Sequence, residues 1–184
     1  SDPDPTWLKA RFRVSKEGIR FIMPTSIVSP KLLDFLFMEF FASSTALCES
    51  NFDSLFIPFR CVAADLTNQK PYYFKGGDLG LAIRASMTFP FYFNPIVLDS
   101  IVFFDGGIYD NFPVEKMKKD FDPDIIIGSK VANNFPPPVE GDPISYLQKM
   151  IAHETDYSLG DSTNSLMIEP EVPIVSVMNI IDFS

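Results

Sequence analysis

The chain has 184 residues, 46% of them hydrophobic, which suffices for one domain with a real core and falls short of two clear ones. A formal net charge of −9 argues against a nucleic-acid partner, because phosphate binding needs a basic face. Two cysteines, Cys48 and Cys61, are too few for a disulfide framework or a zinc site and read as small core residues.

The chain begins polar and proline-rich. Residues 1–31 set Lys9, Arg11, Arg13, Lys16, Arg20 and Lys31 against Asp2, Asp4 and Glu17. This basic start reads as a solvated connector over 1–18, with contact to an anionic surface as the alternative. Ser1-Asp-Pro-Asp lacks the basic and apolar regions of a signal peptide. A signal removed upstream would leave no trace here, so localisation stays open between cytoplasm and membrane surface.

IRFIM (19–23) predicts a short strand before Pro24. Ser29-Pro30 predicts a helix N-cap with proline in the first turn. The helix that follows, to about Ala42, is apolar on nearly all sides and is expected to be buried, the alternative being a lid or a membrane-facing helix. It is too short to span a bilayer and carries Asp34 and Glu39.

LFIPFRCVAADL (55–66) predicts a strand with Asp65 at its end; 67–70 is a turn, and PYYF (71–74) returns as a second strand. Asp78 suits the N-cap of a helix over 79–87, which Pro90 ends. PIVLDSIVFF (95–104) reads as two short strands around Asp99-Ser100. PVEKMKKDF (113–121) predicts a helix, with Asp110 and Asn111 as its caps and lysines in its last turn. DIIIGSKV (124–131) is a continuous apolar run, the pattern of a strand buried on both faces. After the loop 133–143, a helix is expected over 144–154, capped by Asp142 and led by Pro143, and then extended pieces at 166–170 and 172–178. From 55 to 131 strand and helix alternate, which predicts an α/β domain with a mostly parallel sheet.

The chemistry concentrates in FFDGGIYDNFPV (103–114). Asp105 ends an apolar strand, the place where open α/β sheets build their sites. Gly106 and Gly107 let the chain turn and let another group approach closely. A carboxylate held there can take a proton from a nucleophile or orient a base. Donors around it would keep it ionised, and an apolar pocket would raise its pKa. The competing reading is an Asx turn, in which the carboxylate only bonds backbone N–H groups.

The stretch 55–131 resembles the C-terminal half of the patatin-like phospholipase catalytic domain. The resemblance is carried, in order, by P-F-R-C-V-A-A-D-L, A-I-R-A-S-M-T-F-P, D-G-G with D-N-F-P-V, and the strand D-I-I-I-G. It is weaker over 144–178 and faint before 30. It implies a three-layer α/β fold, a mainly parallel sheet flanked by helices, present as a single partial domain over 1–184, with 132–184 as its C-terminal extension. It also implies a Ser–Asp dyad hydrolase that cleaves lipid acyl esters through an acyl-enzyme, without histidine and without a cofactor or metal. Asp105 takes the place of the general base, and Gly106 and Gly107 complete its motif. The implied partner is a membrane lipid or another acyl ester.

The family's nucleophile motif, G-x-S-x-G at a strand-to-helix elbow, does not occur in these residues. The nearest pattern, G-D-S-T-N (160–164), ends in Asn164, and Ser162 reads as a loop residue. The glycine-rich oxyanion loop does not occur either. The chain is therefore expected to be the C-terminal part of a longer enzyme, inactive by itself, with an apolar sheet edge that a homodimer could cover. The alternative is a catalytically inactive module that binds lipid or a partner. Among the other polar residues, His153 is expected on the surface, Ser86 and Thr88 as capping or packing groups, and Asp65 in a supporting role at most. The aromatics of FPFYF (89–93) read as core rather than acyl pocket.

Overall fold

The computed structural model describes residues 11–15, 18–22, 29–90, 92–141, 143–151, 153–160 and 164–170. These residues form α/β structure in two compact units, Ser1–Asn111 and Phe112–Ser184.

In the first unit, β1 (Arg11–Ser15) and β2 (Gly18–Ile22) pair as an antiparallel hairpin with Ser15 opposite Gly18. Part of the expected connector is thus a strand. α1 (Lys31–Leu47) runs five residues past the expected end at Ala42. It stops where Glu49 and Ser50 both turn left-handed. Its N-cap is Pro30, which makes no side-chain cap bond.

The expected burial of α1 is corrected. No residue of the helix is fully buried, and Leu32, Phe35, Met38, Phe40 and Leu47 are exposed. Its contacts lie along one stripe, at Asp34, Phe37, Phe41 and Thr45, spaced as one face of a 3.6-residue helix. That stripe meets α2 (Leu79–Ser86). The expected Asp78 cap accepts from Leu81 N–H at 2.7 Å, and Thr45 of α1 accepts from Leu79 N–H at 3.1 Å. Two of the four free donors at the N-terminus of α2 are satisfied in this way.

The central sheet contains β3 (Cys61–Asp65), β4 (Lys70–Phe74), β5 (Ile96–Leu98) and β6 (Ile101–Asp105) in the order β4-β3-β6-β5. Every pairing in it is antiparallel, which corrects the expected mainly parallel sheet. The reason lies in the connections. β5 and β6 are joined by Asp99 and Ser100 alone, both left-handed at φ 48° and 66°, the geometry of a tight hairpin turn. β3 and β4 are joined by Leu66–Gln69, closed by left-handed Gln69. Parallel neighbours need crossovers far longer than either link. The core under this sheet contains Cys48, Phe52, Ala63, Phe74, Leu79, Ala82, Ala85 and Phe103, with half-buried Cys61 packed against it. Both cysteines thus sit in or against the core, unbonded to each other.

The second unit has α3 (Val114–Phe121), β7 (Ile126–Ser129), α4 (Pro143–Ile151) and β8 (Ser165–Ile168). Here β7 and β8 pair in parallel. The expectation that β7 is buried on both faces is corrected. Ile126 and Gly128 point inward to Val114, Phe112, Leu159 and Met167, while Ile125 and Ile127 are exposed. Side chains alternate along a strand, and the described residues cover only one face. Leu166 and Ile168 on β8 are exposed as well. Asp142, Ser162 and the extended piece at 172–178 lie outside the described residues.

Candidate active site

β6 delivers Asp105 to the end of the sheet. Its neighbour β5 reaches only as far as Ile96, opposite Phe103, so Asp105 extends beyond that ladder. The Asp105 N–H donates instead to the Thr88 carbonyl at 2.9 Å. On the other side Asp105 faces Ala63 of β3. Its carboxylate accepts the Gly107 N–H at 2.8 Å and so caps a single turn of 3-10 helix over Gly106–Ile108. The N–H groups of Tyr109 and Asp110 both donate to the Gly106 carbonyl, at 3.1 and 2.9 Å, and close the loop.

The two glycines have different reasons. A Cβ on Gly106 would collide with the Val62 carbonyl of β3 and lie 2.7 Å from its carbon, so the close approach here is made by the sheet's own backbone. A Cβ on Gly107 would meet side-chain oxygens rather than backbone, Asn111 Oδ1 at 2.8 Å and Asp105 Oδ1 at 3.1 Å.

The Asx-turn bond is therefore present, yet it does not settle the electrostatics. Burial raises the Asp105 pKa above the ordinary carboxylate value, and the Gly107 N–H only partly offsets it. A half-buried carboxylate with a raised pKa, held at both backbone and side chain, takes up a proton more readily than an ordinary carboxylate.

Asp110 and Asn111 were expected to cap α3, whose N-cap is instead Pro113. Asp110 accepts from the Tyr73 hydroxyl of β4 at 2.6 Å, and Asn111 lies over Gly107. Burial, followed by the hydrogen bond to Asp110 and its charge, pushes the Tyr73 pKa up, so the hydroxyl stays protonated and donates.

Asp65 is buried, and both its oxygens accept from Asn68, at 2.8 Å from the N–H and 2.7 Å from the amide. Burial pushes its pKa up. The Asn68 donors, the Lys70 charge and the Thr67 N–H outweigh that and hold it below the ordinary value. It fixes the β3–β4 turn. The Cys61 thiol is pushed up to about 12 by burial. His153 is exposed and lies beyond the end of α4. Phe89 and Tyr92 make an edge contact at 5.7 Å and, like Phe93, are half-buried rather than members of the core. Among the described residues no three His, Cys, Asp or Glu side chains gather to hold a metal, and no helix is long and apolar enough to cross a membrane.

One group escaped the sequence reading. Arg84 of α2 is 2% exposed. Its Nε donates to Asp34 of α1 at 2.8 Å, its Nη1 donates to Thr88 Oγ1 at 2.8 Å, and the Phe93 ring lies 4.4 Å from its Cζ. Thr88, fully buried, donates its hydroxyl back to the Arg84 carbonyl at 2.6 Å. The available signal was an arginine in LGLAIRASM with no acidic residue three or four places away, so that its partner had to be distant in sequence.

The sequence profile of the patatin-like phospholipase family matches residues 7–118, a stretch that contains Arg84, Thr88 and Asp105–Gly107. An uncharacterised NTE family protein of Mycobacterium tuberculosis is 40% identical over 62 residues, which are 34% of this chain and 17% of that protein. A counterpart in Mycobacterium bovis matches to the same extent. The lysophospholipase NTE1 of Candida albicans is 34% identical over 67 residues, 36% of this chain and 5% of its own length. The chain thus spans only a small part of the curated relatives it matches.

Proposed function

We propose, from the premise that the chain belongs to the patatin-like phospholipase family, that it supplies the general base of a serine-type lipid acyl hydrolase. Asp105 is that base, in a Ser–Asp dyad whose serine and oxyanion donors lie outside residues 1–184. The observation that carries this reading is the state of Asp105. It stands at a strand end on a rigid turn, half-buried, with its pKa raised by burial despite a hydrogen bond that opposes the shift. A purely structural Asx turn gains nothing from that burial.

In the proposed cycle the Asp105 carboxylate takes the serine hydroxyl proton as the serine oxygen bonds the ester carbonyl carbon. Collapse of the tetrahedral intermediate breaks the bond to the alcohol, which leaves with that proton. Water then gives a proton to the same carboxylate and attacks the acyl-serine. The fatty acid departs and the serine recovers its proton. Donors for the oxyanion must come with the serine, since each one lost costs about a hundred- to a thousandfold in rate. The absence of G-x-S-x-G from these 184 residues supports placing both outside them. The name of the Candida relative favours a lysophospholipid-like ester as substrate.

The test uses the longest natural form of the protein that contains these residues. Asp105→Asn is expected to lower kcat for release of fatty acid from a lysophospholipid by about a thousandfold or more. The 184-residue chain alone is expected to release none. Hydrolysis by that short chain, lost on Asp105→Asn, would sink the placement of the serine elsewhere. A long form that binds lipid vesicles without hydrolysing any ester would favour an inactive lipid-binding module.

A further inference from the structure

We infer that Arg84 is a positioning residue for Asp105, acting through Thr88. This inference rests on Asp105 being the base. The chain of contacts is short, and the buried Arg84 Nη2 stands outside it without a hydrogen-bond partner among the described residues. Asp34 holds the Arg84 Nε, Arg84 Nη1 holds the Thr88 hydroxyl, and that hydroxyl is tied back to the Arg84 carbonyl. The Thr88 carbonyl then receives the Asp105 N–H, at the point where β5 no longer reaches β6. Thr88 fills the ladder position that a longer β5 would have held. Backbone bonds hold the start of this segment, from the Thr88 N–H to the Ala85 carbonyl at 3.2 Å and from the Phe89 N–H to the Met87 carbonyl at 2.9 Å. The hydrogen-bonded ring of Arg84 and Thr88 adds a side-chain tie to these, and the Phe93 ring closes over the guanidinium.

The arrangement also explains why a charge is buried here. Arg84 is 2% exposed while its partner Asp34 keeps 47% of its side-chain surface. An arginine needed only for packing would be replaced by an apolar side chain without loss, since a buried ion pair is a weak source of stability. A fork of fixed donors that sets the direction of a hydroxyl cannot be replaced in that way.

The experiment compares Thr88→Val, Thr88→Ser and Asp34→Asn in the longest natural form, with a p-nitrophenyl ester as substrate. Thr88→Val keeps the shape and removes the hydroxyl. It is expected to lower kcat by about 10- to 100-fold with little change in KM, the signature of a misplaced group rather than of lost binding. Thr88→Ser restores the hydroxyl and is expected to recover most of that loss. Asp34→Asn keeps an oxygen that can accept from the Arg84 Nε but removes the charge that strengthens that bond, so it loosens the half-exposed end, and its smaller loss is also expected in kcat. Wild-type kcat in folded Thr88→Val, or equal damage from Thr88→Val and Thr88→Ser, overturns the inference. If Thr88→Val does not fold, Asp34→Asn decides, and an unchanged kcat there overturns it. Asp105→Asn serves as the control: if it remains active, the functional reading itself has failed, whatever Thr88 does.

Discussion

Two neighbouring strands of one sheet each end in an aspartate followed by a tight turn, and the two turns treat their carboxylates in opposite ways. Asp65 at the end of β3 is buried and receives two hydrogen bonds from Asn68, with the Lys70 charge and the Thr67 N–H adding to them, and its pKa falls. Asp105 at the end of β6 is less buried and receives the Gly107 N–H, and its pKa rises. The two carboxylates differ in the donors that meet them, two from Asn68 at Asp65 and the Gly107 N–H at Asp105. More donors favour the charged form, and burial with few donors disfavours it. Asp65 has its charge balanced within its own turn. Asp105 is left with spare acceptor capacity, and that is the condition for accepting a further proton.

The contrast can be broken most severely at Gly106. Gly106→Ala drives a methyl into the Val62 backbone, which has no rotamer to yield, and is expected to cost about 3 kcal/mol or more in a urea melt. Gly107→Ala meets side-chain oxygens instead of backbone and is expected to fold, at a smaller cost of about 1 kcal/mol. Equal costs for the two would mean that the turn does not rest on β3.

Asp65→Asn comes next. It exchanges a fully bonded charge for an amide in the same shell of donors and is expected to destabilise by about 1.5–3 kcal/mol at neutral pH. The sign of the pH dependence follows from a folded pKa below the unfolded one. The Asp65 contribution is present above the unfolded value, near pH 3.9, and is lost as pH falls through the lower folded value. Denaturation midpoints of wild type and variant should therefore converge in strong acid.

Asp105→Asn should act in the opposite direction. With a folded pKa above the unfolded one, the native state holds more protons between the two, so stability falls as pH rises through that window. Removing the charge is expected to raise stability at pH 7 by about 1 kcal/mol, the scale on which active-site replacements exchange activity for stability. The gain should shrink toward pH 4, near the unfolded value. A variant less stable than wild type at pH 7 would place Asp105 in the same class as Asp65.

Much of this geometry was legible in the sequence. The Asp78 cap, α2, and the strand that ends in Asp105 follow from local rules, because capping and alternation act over a few residues. The direction of the sheet was misread although its signals were present. Thr67–Lys70 and Asp99-Ser100 were recognised as turns between adjacent strands, and a turn that short already requires antiparallel neighbours. The general alternation of strands with helices points toward a parallel sheet, but it sets no limit on link length as those two turns do. Arg84 was missed for a different reason: its partner Asp34 lies fifty residues away, and no spacing rule reaches that far. The exposure of α1 and of β7 depends on what covers each element, which periodicity does not report.

Cys61 begins the strand whose second residue, Val62, supports Gly106. Burial pushes its thiol up to about 12, so very little of it is thiolate at pH 8. In the closed sheet it should therefore react with a disulfide reagent orders of magnitude more slowly than a free thiol. With Cys48 replaced by serine, labelling at Cys61 then reports loosening of β3. The protein carries a built-in clock for the lifetime of the wall against which its proposed base is set, readable without touching the base itself.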